Sequence, residues 1–374
     1  ISVSLWAYIT RPQPLPDWPE RVTGFAFSPY HADQDPREHL YPTLEKINSD
    51  LDLLAGKVTA IRTYSVEGPL AEIPRLAREH DINVCLGAYL SYEEGRNEEE
   101  FPLFLEIAKS NRNVVRAIVG NETQYHGILD YDVLLYYLDR ARLELGVPVS
   151  TAEPAGVWHK NPDLVEHVDF IAMQILPYWQ NMEVNDAVEY VFSELRGLQE
   201  AYPDKPVIIS EVGWPSRGRD RGAAVASVSN EATFLRNFLA RVPEYGYIYY
   251  LMEAFDQPWK ADIEGAVGAY WGVYDVERNP KFEFTQPIVP VPQWQLLAGI
   301  SMVLAIITFG LLLIDSTTLR GHGRSFLAIV SYLAATTIVW IVYEYSSLYQ
   351  TMGTIIIGML MAVGTIGIFL VLLA

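Results

Sequence analysis

Along residues 24–284, short apolar runs alternate with polar loops and with stretches of helical hydrophobic spacing. The runs at 24–30, 59–65, 82–90, 114–121, 147–153, 169–177, 206–212 and 247–255 have strand length and are rich in β-branched and aromatic residues, so they read as buried strands. Between them, Leu44, Ile47, Leu51 and Leu54 keep helical spacing, as do Leu134, Leu138, Ala141 and Leu145, with Gly146 as the stop. Tyr190, Val191, Leu195 and Leu198 repeat the pattern, and so do Phe234, Leu235, Phe238 and Leu239. Eight strand–helix units in series predict an α/β fold, a (β/α)8 TIM barrel whose functional groups gather at the carboxyl ends of the strands. The last unit departs from the pattern. Residues 261–284 are rich in glycine and aromatics with no helical period, so the barrel is expected to close irregularly.

After the barrel the pattern changes to apolar runs at 294–314, 326–343 and 353–374, each near the ~20 residues that cross a bilayer, with Trp294 and Tyr343 suited to its interfaces. The expected organisation is a linker or the end of a membrane anchor over 1–23, a barrel domain over 24–293 and a membrane region over 294–374 with three transmembrane helices. Arg320 and Arg324 lie between the first two runs, whereas 344–352 holds no Lys or Arg, which places the first loop in the cytoplasm and the barrel outside. Arg278 and Lys281 pull the other way but belong to the folded domain. The chain opens at Ile1 with an apolar stretch leading into a Pro-rich segment, so a preceding signal segment or membrane helix is expected. Its end within the third apolar run points to a fragment of a longer polypeptide or to a docking subunit.

The net charge of −19 falls almost wholly on the barrel, because 294–374 holds only Asp315, Glu344, Arg320 and Arg324 of the 46 acidic and 27 basic residues. Such acidity argues against a nucleic-acid phosphate backbone as the natural partner and favours a neutral polymer or small molecule, with a plain role in solubility as the alternative. Cys85 is the single cysteine, inside an apolar run, and reads as a packing residue. The seven histidines show no metal-ligand spacing, and no glycine-rich phosphate loop is present, so neither metal nor organic cofactor is expected.

Two strand ends carry the candidate chemistry. In 206–216, PVIISEVGWPS, an apolar run delivers Glu211 where the strand should leave the core; in 114–123, VVRAIVGNET, another delivers Glu122. Burying an ionised carboxylate is costly, so each is paired, solvated in a cleft or held for chemistry, and one such Glu alone reads equally well as a structural residue. Two at the same kind of terminus point to glycosidic chemistry. Retaining glycosidases hold their carboxyls about 5–5.5 Å apart, one as nucleophile and one as acid and then base, and inverting enzymes hold them further apart.

These residues sit in recognisable motifs: Ile61-Arg62-Thr63-Tyr64, Val119-Gly120-Asn121-Glu122, Leu176-Pro177-Tyr178, 210–216 (SEVGWPS) and Trp271-Gly272-Val273-Tyr274. On them the chain resembles glycoside hydrolase family 17, the β-1,3-glucanase family of clan A, over most of residues 24–284. The resemblance implies a retaining double displacement on β-1,3-glucan or laminari-oligosaccharides, with Glu122 as acid/base, Glu211 as nucleophile and Asn121 bonding the sugar 2-hydroxyl. The Asn121-Glu122-Thr123 triplet also spells a glycosylation sequon, discounted because modification there would block the cleft. Arg62, if buried, needs a partner, for which a carboxylate near Glu211 is the natural choice. Tyr178, Tyr30 and Tyr64 are candidates to orient Glu211 or line the pocket. Trp158, Trp179, Trp214, Trp259 and Trp271 are candidate stacking platforms for glucose faces, and Glu253 and Asp256 candidate hydroxyl binders. A barrel tethered beside membrane spans is further similar to bacterial proteins that join a family 17 domain to a membrane glucan synthase of glycosyltransferase family 2. That likeness implies a multi-pass protein of the cytoplasmic membrane, with the barrel on its outer face, transferring glucan units rather than hydrolysing them. Simple hydrolysis is the alternative, and a non-catalytic glucan-binding scaffold for a synthase is the alternative of another class.

Overall fold

The computed structural model describes residues 2–315, 321–347, 356–358, 360–361 and 364, which fall into two compact units. One unit, Leu15–Ser216 with Asp220–Gln286, is a closed barrel of eight parallel strands in sequence order. The strands are β1 (Val22–Ala26), β2 (Val58–Arg62), β3 (Asn83–Ala88), β4 (Val114–Asn121), β5 (Val149–Pro154), β6 (Ile171–Ile175), β7 (Val207–Val212) and β8 (Tyr249–Leu251). Each lies on one of the eight apolar runs, because a parallel strand covered on both faces is apolar throughout its length. Ala60, Cys85, Ile118, Ala152, Ala172, Ile208 and Tyr250 fill the interior below the cleft.

Helices cover the outside, and their ends follow local chemistry. Thr43 caps the helix Leu44–Leu54 by accepting from the Lys46 N–H, and Ser227 caps Val228–Arg241 by accepting from Asn230. The apolar positions anticipated for these helices are mostly the buried ones: Ile47, Leu51 and Leu54 in the first, and Phe234, Leu235, Phe238 and Leu239 in the second. Arg236, on the same second helix, is fully buried and donates to the carbonyls of Leu15, Pro16, Glu283 and Gln286.

The eighth unit closes irregularly, as its composition indicated. β8 has three residues, and short helical turns at Pro258–Lys260, Ala261–Glu264 and Ala266–Ala269 stand in place of a full helix. Gly272 is required in the segment that follows, since a Cβ there would lie 2.1 Å from the Asp256 nitrogen.

Two register shifts position the site. Ile118 and Asn121 of β4 pair with Ser150 and Ala152 of β5, so β4 carries one extra residue just before its end. β7 does the same, with Ile209 and Glu211 opposite Met173 and Gln174 of β6, and Ile209 and Val212 opposite Tyr249 and Leu251 of β8. Such bulges re-aim the side chains that follow them.

The other unit holds two long apolar helices, Trp294–Asp315 and Gly321–Ser347. Trp294–Ile314 and Gly321–Glu344 are long and apolar enough to cross a membrane by length and composition. The second begins earlier than the expected residue 326. The third anticipated segment, 353–374, lies outside the described residues apart from helical positions at 356–358, 360–361 and 364. Within 1–23, where a linker or the end of a membrane anchor was expected, Ser2–Ile9 is helical. Trp6 packs with Ala298 and Val339, donates Nε1–H to Ser301 Oγ at 3.2 Å and lies 5.7 Å from the Trp340 ring at a tilt of 41°.

Candidate active site

β2, β4, β6 and β7 bring their carboxyl ends together around one guanidinium. Arg62, fully buried at the end of β2, donates Nη1–H to Glu211 Oε1 on β7, and Nη2–H to Asn121 Oδ1 on β4 at 2.5 Å. The expected partner was a carboxylate near Glu211; it is Glu211 itself. Tyr64 adds a second donor to the same oxygen, OH to Oε1 at 2.7 Å. Burial, and then the charge of Glu211, push the Tyr64 hydroxyl well above its ordinary range, so it stays a donor. Burial on its own would depress Arg62, but Tyr64 and Glu211 outweigh it and the guanidinium stays charged. Gln174 on β6 donates Nε2–H to Asn121 Oδ1 at 2.9 Å, which fixes that amide with its NH2 turned to other partners.

Glu122 follows β4 in a left-handed backbone conformation, φ 52°, after Gly120 at φ 78°. Its N–H donates to Ala152 O at 2.8 Å. The turn beyond it is tied to buried Glu153, which accepts from Thr123 Oγ1 and from the Gln124 and Tyr125 N–H groups. His126 closes the turn: its N–H reaches Glu122 O at 3.0 Å, and its Nε2 stands 3.3 Å from Glu122 Oε2. Burial, then the carboxylates of Glu211, Glu153 and Glu264, push Glu122 up to about 8, with Arg62 opposing. The two strand-end carboxyls therefore differ in kind. One accepts from a buried cation and a phenol, and the other holds its proton through neutrality. Thr123, which ends the sequon triplet, is fully buried.

The sequence profile of the BtgE/BtgC glycoside hydrolase domain matches residues 24–272. The chain belongs to this family. A glucan 1,3-beta-glucosidase of Arthroderma benhamiae is 30% identical over 255 residues, 62% of this chain and 82% of that protein. The glucan endo-1,3-beta-glucosidase btgC of Emericella nidulans is 24% identical over 69% of this chain, and the match spans 44% of that relative's length. Among solved structures, an active-site mutant of a Rhizomucor miehei beta-1,3-glucanosyltransferase in complex with laminaritriose is similar at a TM-score of 0.62 and 26% identity, covering 70% of this chain and 97% of that one. The fold and the class of enzyme, a glycoside hydrolase of the β-1,3-glucanase type, follow from these matches.

In this BtgE/BtgC domain the remaining anticipated residues divide into cleft and core. Trp158, Trp214 and Trp271 are 0% exposed, and a ring with no free face is not a sugar platform. Trp158 donates Nε1–H to Glu153 O, and Trp214 to Val225 O. Tyr178 is buried with its ring edge-on to Trp179, Trp214 and Trp271 at 5.2, 5.9 and 6.0 Å. Tyr30 is buried against Tyr41 and Trp259. Trp179 and Trp259 are half-exposed and keep the platform role open. Asp256 is committed to the framework rather than to a ligand, because its Oδ1 accepts from the Gly272 N–H and from Lys281 Nζ, each at 2.9 Å.

Glu253 is fully buried with Oε1 2.7 Å from Lys260 Nζ, while its Oε2 has no hydrogen-bond partner among the described residues. Burial raises it to about 7, against the pull of Lys260. Lys260 escaped the sequence reading. It lies beyond the short β8 in a segment without periodicity, and a lysine there reads as a solvated charge. Glu153 and Gln174 were likewise missed, although both sit at strand ends, where an isolated polar residue in an apolar run is the available signal. Among the described residues no cluster of His, Cys, Asp or Glu could hold a metal ion.

Proposed function

We propose that this domain is a retaining β-1,3-glucanosyltransferase with Glu211 as nucleophile and Glu122 as acid and then base. The observation that carries the reading is the asymmetry of the two carboxyls: Glu211 accepts from Arg62 and Tyr64, while Glu122 is raised to about 8 and so is protonated at neutral pH. In the first step Glu211 attacks the anomeric carbon as the glycosidic C–O bond breaks, and the Glu122 proton passes to the leaving oxygen. In the second, an acceptor hydroxyl attacks that carbon, the bond to Glu211 breaks, and the hydroxyl proton returns to Glu122. Asn121, its carbonyl taken by Arg62 and Gln174, offers its NH2 to a sugar hydroxyl, whereas Glu253 is fully buried and paired with Lys260 and so is not a sugar contact. Trp179 and Trp259 are the stacking platforms.

Transfer over hydrolysis is supported by the likeness to the Rhizomucor miehei glucanosyltransferase. Hydrolysis is the second reading, favoured by the name of the Arthroderma benhamiae relative. The long apolar helices support a membrane-carried enzyme with the barrel outside the cytoplasm, a setting that fits remodelling of glucan beside a synthase. The test is product analysis of the chain with laminaripentaose, with Glu211→Gln as control. Products longer than the substrate are expected from the unmodified chain and none from the variant. Shorter products alone would make the enzyme a hydrolase. Binding without turnover in the unmodified chain would replace the catalytic reading with a glucan-binding one.

A further inference from the structure

The contact between His126 and Glu122 is not required by the two-carboxylate reaction. The imidazole meets the acid/base carboxyl from the same turn, Nε2 to Oε2 at 3.3 Å, and His126 is held by two contacts. Its backbone N–H is bonded to Glu122 O, the Tyr125 ring meets it edge-on at 4.9 Å, and Tyr125 is itself pinned by Glu153. The side chain is 56% exposed, against 29% for Glu122, so it stands at the solvent-facing side of the carboxyl. Every other charged group that bears on Glu122 comes from elsewhere in the barrel: Glu211 from β7, Glu153 from β5, Arg62 from β2, and Glu264 from the turns after β8. Three of those four are carboxylates and disfavour the ionised form. The fourth, Arg62, is spent on Glu211 and Asn121.

A ring nitrogen that faces a carboxylate oxygen attracts it only when it carries hydrogen. We propose that His126 is a positioning residue for the reaction: it donates Nε2–H to one oxygen of Glu122, confines the transferred proton to the other, and stabilises the carboxylate that must accept the incoming hydroxyl proton. This rests on the acid/base reading of Glu122. In the first step the proton leaves the oxygen that His126 does not touch and goes to the glycosidic oxygen as its bond to the anomeric carbon breaks. In the second, the acceptor hydroxyl forms the new C–O bond, the electron pair of the old one returns to Glu211, and the hydroxyl proton goes back to the same oxygen of Glu122. His126 gains and loses no proton over the cycle.

The experiment compares the pH profiles of kcat and kcat/KM for the unmodified chain, His126→Ala and His126→Gln, using laminaripentaose as donor and acceptor. Loss of the donor in His126→Ala removes support for the Glu122 carboxylate, so the alkaline limb should move up by about half to one pH unit, the size expected of a part-exposed hydrogen bond to a charge. The second step should slow, so that kcat falls more than kcat/KM. His126→Gln keeps an N–H donor and should restore the limb toward its original position. A uniform loss of rate at all pH values, or identical limbs in the three proteins, would overturn the proposal. Glu122→Gln runs alongside: if it retains turnover of laminaripentaose, the acid/base reading fails, whereas its inactivity together with an unmoved limb in His126→Ala refutes only the role of His126.

Discussion

Glu122 sits at a backbone angle that costs a non-glycine residue about 1–2 kcal/mol, and its carboxyl is surrounded by three others. Both features place it against stability and in favour of holding a proton. An ordinary carboxyl value of 4.5 in the unfolded chain against about 8 in the folded one means that the folded state binds more proton between those limits. Stability supplied by this residue is therefore complete at acid pH and falls as pH rises from about 4.5 through about 8. Glu122→Gln removes the linkage. In urea unfolding the variant should match the parent near pH 4.5 and exceed it by about 1–3 kcal/mol at pH 8, the range that a shift of this direction supports for a part-solvated group. Equal stability at both pH values would mean that the carboxyl is not raised. Glu122 and Glu211 were legible in the sequence because an acid at the tip of an apolar strand is conspicuous. Their partners were only half so. Arg62 was visible as a charge inside a strand, but His126 meets Glu122 from a turn whose spacing carries no signal.

At the scale of elements, Arg236 ties together parts of the chain far apart in sequence. The helix Val228–Arg241 shows its apolar face as Phe234, Leu235, Phe238 and Leu239, and an arginine among them reads as a surface residue. It is instead fully buried and donates to four carbonyls, two from the segment before β1 and two from the segment after the last turns, so one side chain gathers both ends of the barrel chain. Arg236→Met leaves those carbonyls without their donor and should destabilise the barrel by about 3–5 kcal/mol, read as a lower urea midpoint at unchanged slope. A loss under about 1 kcal/mol would show that water replaces it. The eight strands were legible for the opposite reason: parallel strands buried on both faces announce themselves as apolar runs. β8 covers only three residues of its run, Tyr249–Leu251. The tryptophans divided into core and cleft in a way that sequence does not reveal, since a ring suited to stack on glucose is equally suited to pack.

At the scale of the molecule, two basic residues counted against an outward-facing barrel are neutralised inside it. Arg278 pairs with Asp50, and Lys281 with Asp256 and Glu231. The barrel is also a closed ring, so the spacing of its rungs is shared by every strand. Ala60, Ile118 and Ile208 belong to one buried cluster inside the barrel, and above them Arg62 bonds to both Asn121 and Glu211. In β2 the climb from buried cluster to cleft is two residues, the even step that alternation demands. In β4 and β7 it is three, an odd step made possible by the extra residue in each. Strict alternation would have turned Glu211 out toward the helices and offered Ser210 to the sugar. The extra residue thus does the work of a substitution, and counting matters at this site as much as chemistry. Deleting Ser210 should restore the even step and set the carboxylate about one rung lower, roughly 3.3 Å. The expected result is a barrel that still melts cooperatively in circular dichroism and no longer turns over laminaripentaose; retained turnover would mean that the height of Glu211 is set elsewhere.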